Sequence, residues 1–237
     1  MATWLDKKEK SYRQSFGRDI TDPEERKRSY RHYLWMDHGI LRYRWHNFAE
    51  IVPGVYRSNH PHHDRFVSYA EMGVKAVLNL RGVAQQSHYL FEQESCETLG
   101  LELVTVHLAA RSFPKQERLT ALLNAFESLP RPFMIHCKSG ADRTGLAAAL
   151  YLLHFHDVAD EVARAELSFK YLHIRKTKTG VLDYVLESYL AARAERGIAL
   201  RDWVETIYDQ EAIAAAYQAK KAKERWWEGW RAPMALT

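Results

Sequence analysis

The sequence contains only two cysteines, Cys96 and Cys137, among its 237 residues. This scarcity excludes a disulfide scaffold and favours a reduced intracellular setting. Long apolar runs are also lacking: no stretch of about 18 apolar residues is present, so no membrane span is predicted. The charged first ten residues, MATWLDKKEK, lack the apolar segment of a secretory signal. We therefore expect a cytoplasmic protein.

A strong excess of one charge is absent as well, because the formal net charge is only +4. No interleaved basic and aromatic motif stands out, so we expect no nucleic-acid partner. The mildly basic balance suits an anionic substrate but does not by itself indicate one. Hydrophobic residues make up 46% of the chain and charged residues 27%, as in an ordinary globular protein.

Short strands alternate with helices from about residue 51 onward. This alternation predicts an α/β fold with a mainly parallel sheet of four or five strands flanked by helices. Residues 1–48, rich in charge and aromatic rings, are expected to form an extension packed on the core. The main domain is expected to span residues 49–237, with a helical part from about residue 176. The predicted strands are residues 54–58, 74–80, 101–108 and 132–136, and the predicted helices are residues 61–72, 87–99, 114–129, 145–156, 158–172, 179–196, 200–208 and 210–227.

The most informative stretch is residues 136–145, HCKSGADRTG. An apolar strand precedes it and an alanine- and leucine-rich helix follows it. A loop that curls into a helix N-terminus points its backbone N–H groups at one centre, which makes an anion cradle. Cys137 at the start of the loop would have a lowered pKa and act as a nucleophile. Arg143 at its end can donate two hydrogen bonds to phosphate oxygens.

The pattern His-Cys-x-x-Gly-x-x-Arg-Thr-Gly resembles the signature of the cysteine-dependent protein tyrosine phosphatase superfamily. The resemblance implies that Cys137 attacks phosphorus and carries a cysteinyl-phosphate, while Arg143 stabilises the charge of the transition state. Thr144 would improve the sulfur as a leaving group, and His136 would shape the loop. No metal or other cofactor is implied. The expected phosphate-binding residues are Lys138, Ser139, Gly140, Ala141, Asp142 and Arg143.

The same superfamily requires a general acid, usually an aspartate on a loop about thirty residues before the cysteine. Here the corresponding residues 109–114, AARSFP, contain no carboxylate. Asp142 is one candidate for the acid, because a signature with aspartate at this position resembles the loop of myotubularin-type phosphoinositide phosphatases. The alternative role of Asp142 is to orient Arg143 or a neighbouring amide. Glu117 is a second replacement, although it fits a solvated helix face. Arg111 occupies the region of the missing acid and could contact a second anionic group of the substrate.

Other residues bear on the substrate. Lys138 beside the cysteine resembles tensin-type lipid phosphatases, and residues 54–58 and 77–81 resemble the opening of atypical dual-specificity phosphatases. Arg57 and Arg81 end strands on the side where α/β sites form, so they are candidates to line the cleft. The expected substrate is a phosphotyrosine protein, or a phosphorylated inositol or lipid. The alternative is a catalytically weak pseudophosphatase that binds phosphorylated ligands.

Three further features have two interpretations each. The histidine-rich residues 60–64, HPHHD, fit an ordinary loop better than a metal site. Cys96 is expected to be a buried structural cysteine, with a resolving thiol as the alternative. Residues 220–231 combine cations with tryptophans, which suits peripheral membrane contact but equally a helix end docked on protein.

Overall fold

The structure is a computed structural model that describes residues 18–231, with the side chains of residues 18–223. Contacts divide the chain into two compact units. The first contains residues up to 108 together with residues 125–144, and the second contains residues 109–124 together with those from 145 onward. None of the described helices is long and apolar enough to cross a membrane.

The first unit contains a five-stranded sheet in the order β1-β2-β5-β3-β4. The pairs β2–β5, β5–β3 and β3–β4 are parallel, and only β1 runs antiparallel, against β2. The predicted mainly parallel α/β sheet is therefore confirmed, with β1 as an edge strand that the sequence pattern did not indicate. The strands are β1 (Ala49–Val52), β2 (Val55–Ser58), β3 (Ala76–Asn79), β4 (Glu102–Thr105) and β5 (Phe133–His136).

Burial explains the order of the strands. Every residue of β3 and of β5 is buried, and their sequences AVLN and FMIH are almost continuously apolar. Strands covered on both faces need such runs, so these two occupy the middle of the sheet. β4 has one exposed and three half-buried residues, as befits an edge.

Three α-helices of the first unit are α1 (Pro23–Trp35), α2 (His63–Glu71) and α3 (Ser87–Leu99), and a 3₁₀ helix covers Gly39–Tyr43. Asp22 caps α1 by accepting hydrogen bonds from the two amides at positions 24 and 25. α1 packs against α3 through an ion pair between Arg26 and Glu94, whose closest atoms are 2.6 Å apart. Within residues 18–48, α1 is thus tied to the sheet unit.

The remaining described residues are mainly helical. The predicted helix over residues 158–172 is wrong in its second half, because α6 ends at Ala165 and the chain continues as an irregular turn. There Leu172 is left-handed, and His173 turns inward to an ion pair with the buried Asp183. The helices are α4 (Gln116–Ser128), α5 (Asp142–Phe155), α6 (Asp160–Ala165), α7 (Val181–Arg196), α8 (Leu200–Thr206) and α9 (Gln210–Arg231), with 3₁₀ turns at Phe169–Tyr171 and Lys178–Gly180.

Candidate active site

The signature loop leaves the central strand of the sheet at its carboxyl end. β5 ends at His136, Cys137 follows directly, and α5 begins at Asp142. The neighbouring parallel strands β2 and β3 end in register with β5. This edge of an α/β sheet, between strands whose connections diverge, is where ligand sites form.

Gly140 allows the loop to fold tightly. Its φ of 69° lies in the left-handed region. A Cβ at this position would stand 2.7 Å from the Asn59 nitrogen and the Ser58 oxygen, which is closer than any real Cβ contact. Only glycine therefore fits here, for conformational and steric reasons together.

Three consecutive carbonyl oxygens of the loop accept hydrogen bonds from groups outside it. The pairs are His60 N to Lys138 O at 3.3 Å, Asn47 Nδ2 to Ser139 O at 2.9 Å, and Arg57 Nη2 to Gly140 O at 2.8 Å. In a trans peptide the next N–H points away from the carbonyl. The amides of residues 139, 140 and 141 therefore turn to the opposite side of the loop, as an anion-binding nest requires.

Cys137 lies at the base of this loop and is 1% exposed. Burial raises the pKa of its thiol, but the positive charge of Arg143 and the hydroxyl and amide of Thr144 lower it by more, so the net shift is downward. Thr144 Oγ1 is buried and has no hydrogen-bond partner within the described part of the chain, so the hydroxyl is available to support a negatively charged sulfur. The site thus favours a thiolate.

Arg143 is half-buried beside the cysteine. Its Nη1 makes one long hydrogen bond, 3.4 Å to the carbonyl of Leu80, and its Nε has no partner among the side chains of residues 18–223. The guanidinium therefore retains donors for an anion, in the fork geometry that suits phosphate.

A buried network supports the residue before the cysteine. His136 Nε2 lies 2.5 Å from Glu92 Oε1, and His136 Nδ1 lies 3.3 Å from the carbonyl oxygen of Cys137. The other Glu92 oxygen accepts a 2.8 Å hydrogen bond from Asn79 Nδ2. His60 Nδ1 lies 3.8 Å from the same carboxylate, and burial together with Arg81 lowers the pKa of His60 well below its usual value. Glu92 thus holds His136 in one orientation directly under the loop.

Asp37 is the centre of a second cluster, which we call the cationic wall. Its carboxylate contacts Arg81 at 2.6 Å, Arg42 at 2.8 Å and Lys138 at 3.4 Å. Burial would raise the pKa of Asp37, but the two arginines outweigh burial and hold it well below the usual range. Three cations therefore share one carboxylate, and one of them belongs to the signature loop.

His88 adds no charge to this wall at neutral pH. Burial and the nearby Arg81 lower its pKa to about 3. The wall of Asp37, Arg42, Arg81 and Lys138 consequently keeps an excess of two positive charges beside the loop.

Arg57 and Arg81 were both predicted to line the cleft, but the structure places them in two different environments. Arg57 is completely buried and donates to the Gly140 carbonyl, so it supports the loop from behind and is not exposed to a ligand. Arg81 is a member of the cationic wall through its two hydrogen bonds to Asp37.

The structure also shows where the candidate general acids and Arg111 lie. Asp142 is the first residue of α5 and is half-buried, one residue from Arg143. Glu117 is exposed in the first turn of α4, and Arg111 is exposed in the preceding loop; both belong to the second unit.

In the histidine-rich stretch, His60, Pro61 and His62 lie in the first unit's interior, whereas His63 and Asp64 are exposed. His62 stacks on Tyr43 with ring centroids 3.7 Å apart, and its Nε2 lies 2.9 Å from the Gly39 carbonyl. Cys96 is 1% exposed in a core cluster with Phe66 and Met134, and burial raises the pKa of its thiol. His62 and Cys96 thus both have packing roles, and the two interpretations of each feature stay predictions.

The C-terminal segment of cations and tryptophans is helical up to Arg231, but the side chains of its tryptophans lie outside the described residues. The predicted membrane contact through this segment therefore stays a prediction.

Sequence analysis overlooked Asp37, Arg42 and Glu92. Asp37 and Arg42 come from the segment before the sheet, and Glu92 lies on α3, so no local spacing connects them to the loop. The only signal would have been that Glu92 falls on the buried face of its helix.

A comparison with protein-family models matches residues 53–157 to the family described as "Polymorphic toxin system, DSP-PTPase phosphatase". The matched residues cover the sheet strands from β2 onward, the signature loop and the whole of α5. No curated protein matches the chain.

Solved structures of phosphatases align with part of the chain. TpbA from P. aeruginosa is 19% identical over 60% of this chain and 91% of its own, with a TM-score of 0.43. The core catalytic domain of the PP-IP phosphatase SIW14 from S. cerevisiae is 19% identical over 64% and 92%, with a TM-score of 0.49. PTPMT1 in complex with PI(5)P is 19% identical over 62% and 98%, with a TM-score of 0.47. Residues 53–157, which contain the signature loop, are therefore similar to the DSP-PTPase phosphatase family, in agreement with the resemblance of the signature to cysteine-dependent tyrosine phosphatases.

Proposed function

We propose that the chain hydrolyses phosphomonoesters through a cysteinyl-phosphate, and that its substrate carries a second anionic group. One observation carries the proposal. The Cys137 thiol, whose pKa is lowered, lies beside the Arg143 guanidinium, whose Nε donor has no hydrogen-bond partner among the described residues. Both stand at a loop whose carbonyl oxygens are bonded away from the anion side.

In the first step the Cys137 thiolate attacks phosphorus, an S–P bond forms, and the bond from phosphorus to the ester oxygen breaks. The leaving oxygen takes a proton from Asp142, the half-buried carboxyl closest in sequence to Arg143. In the second step water attacks phosphorus and gives a proton back to Asp142, while the S–P bond breaks. Inorganic phosphate and the thiolate are the products.

Charge stabilisation in both steps comes from this chain's own groups. Arg143 and the loop amides bind the equatorial oxygens, whose charge is greatest in the transition state. Thr144 stabilises the sulfur as a thiolate, which is its form before the first step and after the second. The same interactions stabilise the Cys137 thiolate in the resting protein, and they therefore lower the pKa of its thiol.

The cationic wall supports a polyanionic substrate. Lys138 belongs to the loop, Arg81 shares the Asp37 carboxylate with it, and Asp37 neutralises only part of the wall. A phosphorylated inositol or lipid carries a second phosphate or acidic group near the first. The positive charge of the cationic wall attracts that second group and so favours binding, whereas a plain aryl phosphate has no such group. We therefore favour this substrate class over phosphotyrosine, and a cytoplasmic location in keeping with two free thiols.

The test compares hydrolysis of para-nitrophenyl phosphate, a phosphotyrosyl peptide and a set of inositol phosphates. Cys137→Ser is expected to abolish turnover of every substrate, whereas the matched cysteine variant Cys96→Ala retains it. Trapping a phosphorylated Cys137 by rapid acid quench would support the intermediate directly. Turnover that survives in Cys137→Ser rejects the nucleophile. Tight phosphate binding by the wild type without any turnover identifies a binding module instead.

The second anionic group has its own test. Lys138→Met is expected to raise KM for inositol polyphosphates by about tenfold, as loss of a partly exposed charge contact implies. KM for para-nitrophenyl phosphate should change far less. An equal effect on both substrates would leave the phosphatase assignment intact and reject the polyanion preference.

A further inference from the structure

A turn in the second unit exposes three large apolar side chains within six residues. Phe169 is 72% exposed, and Leu172 and Ile174 are each 49% exposed. Single exposed apolar residues are normal, but a group of them marks an interaction surface. We call these three side chains the apolar tip.

The fold holds the apolar tip outward. Leu172 has a φ of 60°, which a branched, bulky side chain adopts only at a cost in conformational energy. Its neighbours Tyr171 and His173 are buried, and His173 Nε2 lies 2.7 Å from Asp183 Oδ2, which is also buried. The tip is thus anchored between inward-facing residues, so its exposure follows from the backbone path.

Cations lie within and directly after the apolar tip in the sequence. From residue 167 to residue 182 the sequence LSFKYLHIRKTKTGVL contains four lysines or arginines and no carboxylate. A cavity of about 210 Å³ is lined by both Phe169 and Arg175, so the apolar and the cationic parts adjoin.

A larger cavity of about 390 Å³ lies beside the same turn and is mainly cationic. Glu187, the one carboxylate among its described lining residues, contacts Arg175 and lies 3.7 Å from Lys220 Nζ. Two tyrosine rings form part of the wall, with Lys220 above the Tyr184 ring at 5.5 Å. The charged and aromatic lining residues are Arg175, Lys176, Tyr184, Glu187, Tyr217, Lys220 and Lys221.

We propose that the apolar tip and the cations around it form a docking surface for an anionic lipid bilayer. Phe169, Leu172 and Ile174 would enter the boundary between headgroups and acyl chains, while the surrounding lysines and arginines face lipid phosphate groups. A protein partner is the competing occupant. The bilayer is favoured because lysine is depleted in protein–protein interfaces, whereas apolar side chains ringed by lysine and arginine are typical of interfacial membrane binding.

The test is co-sedimentation of the full chain with vesicles of phosphatidylcholine alone and of phosphatidylcholine mixed with phosphatidylserine. We expect binding only to the anionic vesicles, and weaker binding as salt is raised. The triple variant Phe169→Ser/Leu172→Ser/Ile174→Ser and the charge variant Lys176→Glu/Lys178→Glu should each bind about tenfold or more weakly. Met72→Ser, which removes an apolar side chain of similar exposure in the first unit, and Lys75→Glu are the matched controls.

Circular dichroism confirms that each variant is folded. Leu172→Asn adds a readout that a purely structural role would not produce: asparagine tolerates the left-handed conformation, so thermal stability should be kept or raised while vesicle binding falls. The proposal is overturned if the wild-type protein does not bind anionic vesicles at low salt. It is also overturned if the triple variant binds them as well as the wild type does. Self-association or capture of a protein, lost in the triple variant without any vesicle binding, also overturns it and assigns the surface to a protein interface.

Discussion

The Glu92 carboxylate lies 2.5 Å from Nε2 of His136, and both side chains are completely enclosed beneath the signature loop. Because the other Glu92 oxygen is held by Asn79, the carboxylate cannot turn away from the imidazole. The residue that precedes the nucleophile is therefore oriented by a side chain of helix α3, 44 residues earlier in the chain.

Glu92→Gln is expected to lower kcat by about 10- to 100-fold, because a slightly displaced His136 misplaces the Cys137 backbone. KM should change little, since Glu92 does not face the anion side. Steady-state kinetics on para-nitrophenyl phosphate measure both parameters. Glu94→Gln on the same helix breaks only a half-exposed ion pair with Arg26 and is the control. Equal losses in the two variants would show that α3 stability, and not His136 orientation, is responsible.

Gly140→Ala is expected to reduce kcat/KM by at least about 100-fold, since its Cβ would collide with the backbone at Ser58 and Asn59 and push the loop amides out of line. Gly73→Ala is a matched control, because Gly73 also has a positive φ, of 85°, but an added Cβ there meets nothing within 4 Å. The control should lose some stability from its backbone conformation while its activity persists. Normal activity in Gly140→Ala would contradict the close fit of the loop.

Thr144→Val is expected to raise the pKa of Cys137, because the hydroxyl helps to lower it. The thiolate is present above the pKa, so the acidic limb of kcat/KM against pH should move to higher pH in the variant. The pH dependence of iodoacetamide alkylation reports the same shift without turnover. Thr105→Val at the end of β4 removes another buried, unpartnered hydroxyl among the described residues and is the control. Unchanged alkylation in Thr144→Val would remove this residue from the thiolate's support.

Asp142→Asn tests the general acid through the leaving group. An aryl phosphate departs readily without a proton, so its hydrolysis should fall by less than that of an alkyl phosphate, with a difference of about tenfold or more. Glu117→Gln examines the second candidate in the same assay. If Asp142→Asn affects both substrates equally and Glu117→Gln affects mainly the alkyl phosphate, the acid is Glu117.

Asp37→Asn is expected to cost about 3 to 5 kcal/mol of unfolding free energy at pH 7, as the loss of one member of a buried ion-pair cluster does. The pKa of Asp37 is depressed in the folded state, so its stabilising contribution is present above the unfolded-state value of about 3.9 and is lost as the pH falls below it. Urea denaturation at pH 7 and near pH 3 should show a large gap between wild type and variant that narrows in acid. A gap that persists in acid would mean that packing, not charge, makes Asp37 stabilising.

The loop was predictable because its information is contiguous: strand, cysteine, glycine, arginine and helix follow each other within a dozen residues. Helix α3 was predicted with its observed bounds because Gly100 ends it in the left-handed conformation. Asp37 and Glu92 were not predictable, since tertiary packing alone brings them to the loop. The helix predicted over residues 158–172 failed for a related reason: its local pattern suits a helix, but His173 pairs with Asp183 and redirects the chain.

The segment that supplies Asp37 ends before residue 53, where the match to the phosphatase family begins. A change at position 37 or 42 would alter how firmly Lys138 and Arg81 are neutralised without touching any residue of the loop. Under the proposed preference for polyanionic substrates, we expect changes in this segment to alter substrate preference without altering the nucleophile. A fragment limited to residues 53–157 would keep Cys137 but would lack Asp37 and Arg42, which set the charge next to Lys138 and Arg81.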